Sequence, residues 1–188
     1  MAFFRKPETP AQKKKFWFIL LGGSAFLILF LVYVQMTIGL VGKRSDFGKN
    51  SIFGWVLMID PQENSCLPYR MYLVNTKDRK PERNAIFAYR AKNTGFYPDG
   101  TIMAKYMRGV EGDHVSVTLV NTKVNGTAYA DGLLVAYETN VDPNLFVRET
   151  DLGKDQYFML GQSPRSLDSR YWGTISETQI LGRAYPLF

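Results

Sequence analysis

Thr101-Ile-Met-Ala-Lys-Tyr-Met-Arg-Gly-Val-Glu-Gly-Asp-His-Val-Ser-Val-Thr-Leu-Val120 is the stretch on which the fold turns. It begins and ends in short apolar runs, Thr101 to Ala104 and Val115 to Val120. The second run alternates apolar and polar side chains, as a half-buried strand does. Gly109, Gly112 and Asp113 punctuate the middle, where a chain reverses. Lys105 lies among Ile102, Met103, Ala104, Tyr106 and Met107, which places an ammonium on a half-buried strand. The bland alternative is a strand lysine pointing at water.

The same rhythm extends in both directions. Trp55 to Ile59, Met71 to Val74 and Ala85 to Tyr89 precede it; Leu133 to Tyr137, Gln156 to Leu160 and Gln179 to Gly182 follow. These runs are of strand length and bounded by turn residues. Val124-Asn-Gly-Thr127 reads as a tight hairpin turn. No segment after residue 50 combines helical periodicity with caps. Residues 55–188 are therefore expected to form a mostly β domain, with antiparallel sheets folded on one another. A chain of 188 residues has room for that domain and one appendage.

The appendage is at the N-terminus. Phe16 to Gly42 contains no charged residue, and its apolar core runs from Phe16 to Val34. Such a core spans about 29 Å as a helix, the thickness of a bilayer's hydrocarbon. Trp17 and Tyr33 stand near its ends, where amphipathic rings favour the interface. A cleaved signal peptide would have a shorter apolar region and a small-x-small site. Val41-Gly-Lys-Arg-Ser-Asp46 offers no such signature. The expected organisation is a basic cytoplasmic segment at 1–15, a transmembrane helix at 16–42, a connector at 43–54 and the β domain at 55–188. The lysines at 13–15 orient the N-terminus to the cytoplasm, leaving the β domain on the far side of a bacterial inner membrane, in the periplasm.

Charge and side-chain inventory exclude several classes. The net charge is +6, of which residues 1–15 supply +4. The nearly balanced remainder has no basic stripe, so nucleic-acid binding is not suggested. With one cysteine and one histidine, no zinc spacing exists, and neither metal nor cofactor is expected. Any Ser-His or Cys-His arrangement would have to use His114, which reads as a loop residue. The lone cysteine falls in Asn64-Ser-Cys-Leu-Pro68 and is either a small buried hydrophobe or a reactive thiol.

Three segments read as one scattered site: Asn64 to Tyr72, Ala104 to Val115, and Gly161 to Gly182 with its Ser166-Leu-Asp-Ser-Arg-Tyr-Trp-Gly173 string. In this order they resemble the S26 peptidases, the type I signal peptidases and their conjugative-transfer relatives. Lys105 to Asp113 matches the family's lysine segment, with Gly109, Gly112 and Asp113 at the family's offsets. Arg83-Asn-Ala-Ile-Phe87 resembles the preceding strand more loosely. The 166–173 string is the most specific match.

The resemblance implies a nucleophile–lysine dyad, in which an uncharged amine takes the nucleophile's proton and returns it to the leaving amine. Burial favours the uncharged form of a lysine. Ser166 corresponds to the serine that orients the lysine, and Asp168 with Arg170 to a supporting charge pair. Conjugative-transfer members place their nucleophile two residues before a proline and six before a tyrosine, which lands on Cys66. Signal peptidases proper use Ser-x-x-Pro, which lands on Ser65. In the first register Asn64 takes the place of an oxyanion-hole side chain, beside the backbone N–H of the nucleophile. A thiol needs a neutral base less than a hydroxyl does. Three readings stay open: Cys66 as nucleophile, Ser65 as nucleophile, and an inactive peptidase-like component of a secretion apparatus. The implied substrate is an exported precursor lying extended across the site, a prepilin of a conjugative or type IV secretion system, whose ends could be joined as well as cut. Proteins of that apparatus would be its partners.

Overall fold

The computed structural model describes residues 10, 21–30, 39–40, 51, 53–62 and 65–187. They belong to two compact units, 1–37 and 38–188. In the first, residues 21–30 are helical with exposed side chains, and Phe26 stacks on Phe30 with ring centroids 6.5 Å apart. Among the described residues no helix is long and apolar enough to cross a membrane. Most of the expected anchor at 16–42 lies outside the described residues, as does the basic segment at 1–15 apart from residue 10.

The described residues of the second unit form twelve strands: β1 Gly39–Leu40, β2 Trp55–Ile59, β3 Met71–Asn75, β4 Ile86–Arg90, β5 Ile102–Gly109, β6 His114–Val117, β7 Asn121–Val124, β8 Thr127–Asp131, β9 Arg148–Asp151, β10 Gln156–Leu160, β11 Ile175–Ser176 and β12 Ile180–Pro186. Two short helices, α1 Leu134–Glu138 and α2 Ser169–Trp172, interrupt them. The larger sheet has the order β1-β2-β3-β12-β4-β5-β10-β11, and the smaller β8-β7-β6-β9. Apart from the parallel β1–β2 pair, the pairings are antiparallel. β1 lies inside the stretch read from sequence as anchor.

The central strand is longer than its apolar run. The sequence reading ends it at Ala104, yet β5 continues to Gly109 because both of its charged residues find hosts. Lys105 is taken up by Ser166, while Arg108 stacks over Tyr106 and Tyr129 at 4.2 and 4.8 Å and donates to Asn84 at 2.8 Å. β5 is buried on both faces. Ile102 and Ala104 pack with Val56, Met58 and Val74, and Tyr106 joins them; Met103 and Met107 pack with Phe87, Tyr89 and Met159. A third cluster, around Val115, Leu133 and Phe158, fills the smaller sheet's inner side.

The Asn125-Gly126 turn has φ of 50° and 81°, the paired positive values that a two-residue hairpin requires. Two expected strands are corrected. Leu133 to Tyr137 is largely helical, as α1. An apolar run of that length fits a strand or a buried helix equally well, and here Val135 and Ala136 are buried side by side instead of alternating. Thr139 caps the helix end by donating from Oγ1 to the Val135 carbonyl at 2.7 Å. The strand expected over Val115 to Val120 stops at Val117, because Thr118 Oγ1 accepts from the N–H groups of Val120 and Asn121 and turns the chain.

Candidate active site

Lys105 is the centre of the site. Register pairs it with Phe87 across β4, between Met103 and Met107 on its own strand. It is 1% exposed, although it carries one of the most strongly hydrated groups in proteins. Its Nζ lies 2.8 Å from Ser166 Oγ, itself fully buried. No carboxylate among the described residues forms an ion pair with it. The lysine is not the water-facing strand residue of the bland alternative; it is enclosed.

Ser166 owes its position to the segment after β10. Gly161 carries no Cβ because one would stand 2.1 Å from Ser166 Oγ and 2.9 Å from the Cys66 carbonyl oxygen. One side chain and one backbone carbonyl of the site thus press on one glycine. Its N–H donates to Asp168 Oδ2 at 3.0 Å. Asp168 and Arg170 are both completely buried and form a two-pronged pair, Nε to Oδ1 at 2.8 Å and Nη2 to Oδ2 at 3.0 Å. Arg170 also donates to the carbonyls of Ser166, Asp131 and Gly132 at 2.8–3.2 Å. Burial alone would lower the guanidinium's proton affinity; Asp168 outweighs that and raises it. The solvent-facing alternative for this pair does not occur.

Cys66 stands on the loop joining β2 to β3, whose neck is closed by Asp60 N–H donating to the Arg70 carbonyl at 2.8 Å. The Cys66 carbonyl accepts from the N–H groups of Gln162 and Ser163 at 2.8 and 3.2 Å, fastening the loop to the segment that carries Ser166. Cys66 is half-buried and unbridged. Ser65 is committed locally: its hydroxyl donates to the Leu67 carbonyl and accepts from the Leu67 N–H at 3.2 Å. Asn64 lies outside the described residues. A groove of about 600 Å³ runs beside the loop, lined by Ser65, Leu67, Pro68 and Arg70 on one side and Leu134 and Ser163 to Arg165 on the other.

Tyrosines gather near the thiol. Burial raises the phenols of Tyr72, Tyr89 and Tyr97 above their ordinary range. Tyr72 donates to the Tyr69 carbonyl at 2.9 Å. Tyr89 is fully buried, and its hydroxyl has no hydrogen-bond partner among the described residues. Such an orphan costs about 1–3 kcal/mol. Sequence reasoning passed over Tyr89 because a tyrosine in an apolar strand looks like core.

Sequence reasoning matched, but gave no role to, a carboxylate that braces the loop after β5. Asp113, with Gly109 and Gly112 part of the lysine-segment match, accepts from Arg83, from Asn125 Nδ2 at 2.7 Å and from the Val110 N–H at 2.8 Å. Burial would raise this carboxyl, but those hydrogen bonds prevail and hold it below the usual range. His114 belongs to the surface, not to the dyad. Its Nδ1 meets Asp151 Oδ1 at 2.6 Å and its Nε2 lies 3.8 Å from Glu149. It is in a strand, not the loop expected.

Comparison with known proteins supplies the family. The family model described as "Signal peptidase, peptidase S26" matches residues 51–188. A protein named probable signal peptidase I-2, from Synechocystis sp., is 32% identical over 117 residues, which are 58% of this chain and 49% of that protein. The chain thus aligns with about half the length of that curated relative. The crystal structure of a signal peptidase I from Enterococcus faecalis V583 is 25% identical and aligns with 56% of this chain and 97% of its own, with a TM-score of 0.37.

Proposed function

The chain belongs to the S26 signal peptidase family, and from that premise we propose that it is a peptidase whose nucleophile is Cys66 and whose base is Lys105. The observation that carries this reading is the enclosed amine of Lys105. It is held 2.8 Å from Ser166 Oγ with no ion-pair partner among the described residues, next to the segment that clamps the Cys66 carbonyl. A structural lysine would be expected to reach water or a carboxylate. This one is kept dry and oriented, as a proton-transfer group must be.

In the proposed reaction Lys105 takes the proton of the Cys66 thiol as the sulfur bonds to the scissile carbonyl carbon. The carbonyl π pair moves to oxygen, where the Cys66 N–H and the Asn64 side chain receive the charge. Collapse breaks the C–N bond, the lysine's proton passes to the leaving amine, and a thioester remains. Water, activated by the same amine, then releases the acid. Ser166 positions Lys105; Asp168 and Arg170 support Ser166 and Gly161. Ser65 is the weaker nucleophile candidate, because its hydroxyl is spent on the turn at Leu67.

The substrate of this reading is an exported precursor, lying extended in the groove beside Ser65 and Leu67 by strand addition. The spacing of Cys66 to Pro68 and Tyr72 supports a prepilin of a conjugative apparatus. The apolar stretch at 16–42 supports an inner-membrane anchor with the domain in the periplasm. A thioester also admits attack by an amine, which would join pilin ends. Cys66→Ala and Lys105→Ala should each leave the precursor uncut in cells, with the protein still present. Processing that persists in both would refute the dyad. Mass spectrometry of mature pilin decides between cutting and joining, since a linear product with free termini rules out joining.

A further inference from the structure

The groove beside the nucleophile loop carries a charge pattern that the dyad chemistry does not use. Two walls form it. One is the loop from Ser65 to Arg70; the other is Ser163 to Arg165, joined by Leu134 at the start of α1. The Cys66 carbonyl ties the walls together, accepting from the N–H groups of Gln162 and Ser163 at 2.8 and 3.2 Å. Each wall contains a proline, Pro68 or Pro164, which fixes one backbone dihedral and brings no N–H of its own. The groove is thus braced before anything enters it.

Its lining holds two permanent cations, Arg70 and Arg165, and no acid among the described residues. Arg70 sits at the neck of the loop, where its carbonyl accepts from the Asp60 N–H at 2.8 Å. Arg165 is held from outside the groove. Its Nε and Nη2 both lie 2.8 Å from Glu138 Oε1, and Glu138 is not a lining residue. The Arg165 side chain is 62% exposed, so water screens that pair and a second carboxylate can compete for the fork. Leu67, Leu134 and the two prolines make much of the remaining lining apolar. About 600 Å³ is the size of a cleft that takes a chain segment, and is far more than a lone inorganic anion needs.

We propose that Arg70 and Arg165 form a subsite for an acidic side chain of the precursor, selecting segments that carry Asp or Glu where they cross this groove. The proposal rests on the peptidase reading and adds the class of substrate to it. Contacts with Leu67 and Leu134 hold an extended chain whatever its charge; the two guanidinium groups decide which chains stay. A carboxylate has acceptor sites enough for both forks and matches their planar geometry. A lysine in the same place meets like charge instead.

The test uses the full chain in detergent and internally quenched decapeptides, randomised over small and apolar residues except at one position, which is Glu, Gln or Lys. At one such position kcat/KM should be about tenfold higher for Glu than for Gln, and lowest for Lys. Arg70→Gln and Arg165→Gln should each shrink that ratio to about threefold, through KM, and the double variant should abolish it. Glu138→Gln removes the competing charge and should raise the ratio. Sodium chloride at 1 M, where the Debye length is about 3 Å, should shrink it in wild type. Cleavage that depends on Cys66 and Lys105 but shows no Glu preference at any position would overturn the subsite and leave the peptidase reading standing. A preference that survives in the double variant, or a ratio that Glu138→Gln leaves unchanged or lowers, would overturn it too. If the arginine variants slow the Glu, Gln and Lys peptides equally, their role is structural and the subsite fails. Should wild type cut no peptide that Cys66→Ala spares, the peptidase reading itself falls, and the subsite with it.

Discussion

Two buried basic side chains, Arg170 and Lys105, lie close together in the chain's architecture and are treated in opposite ways. Arg170 is fully enclosed, and Asp168 and three backbone carbonyls receive its donors. Lys105 is enclosed to nearly the same degree, yet among the described residues it has one serine hydroxyl and no counter-ion. A buried charge without a partner is among the costlier arrangements a fold can hold. The pairing of Arg170 makes it part of the frame. The isolation of Lys105 is what a group that must gain and lose a proton requires. Enclosure alone would not separate the two; the company each keeps does.

Substitution by methionine should expose the contrast. Lys105→Met replaces the amine with a side chain matching its neighbours Met103 and Met107, so the melting temperature should hold or rise. Precursor cleavage should fall by about 10²–10⁴-fold, the usual worth of a positioned base. A melting-temperature loss as large as that of Arg170→Met would collapse the distinction. Arg170→Met leaves the Asp168 carboxylate buried and alone, and should cost about 3–5 kcal/mol in denaturant unfolding. Adding Asp168→Leu should recover only part of that loss, because Gly161 N–H and the carbonyls of Ser166, Asp131 and Gly132 still lack partners. Full recovery would mean that Arg170 is held by charge alone.

The same contrast explains what the sequence could tell. Strands such as Trp55 to Ile59 and Gln156 to Leu160 are legible because one periodicity and a pair of turns define each. The Asn125-Gly126 hairpin is legible because few residue pairs tolerate its backbone. Leu134 to Glu138 is not, since its state depends on which side chains the rest of the fold buries. Lys105, Ser166, Asp168 and Arg170 could be singled out only through a family pattern, because a lysine in a strand carries no mark of its enclosure. Its dryness is a property of Phe87, Met107 and Ser166 arriving from three parts of the chain. Tyr89 had no signal of any kind: an orphaned hydroxyl exists only in three dimensions.

Asp113 extends the comparison to a carboxylate whose partners are partly exposed. Its folded value is held below the unfolded one, near 3.9. Its contribution to stability is therefore complete above about pH 4 and disappears as pH falls through the lower folded value. Asp113→Asn should flatten the acid side of a plot of melting temperature against pH and leave the neutral side parallel to wild type. An unchanged acid side would show that Arg83, Asn125 and the Val110 N–H bind the neutral side chain as well as the charged one.

The smallest effect belongs to His114, which has the same kind of partners as Arg170 but in water. Asp151, chiefly through its hydrogen bond, and Glu149 raise the imidazole above its ordinary value against the opposing effect of desolvation. A raised folded value means that the contribution is fully present below about pH 6.5 and is lost as pH rises through the folded value. Solvent screens both carboxylates, so the pair holds β6 to β9 only lightly. His114→Gln should therefore lower the melting temperature slightly at pH 5 and not at pH 8, with cleavage unchanged at either. A loss of cleavage would place the histidine in the chemistry after all, and the choice of an enclosed, unpaired lysine as the sole base would then have to be abandoned.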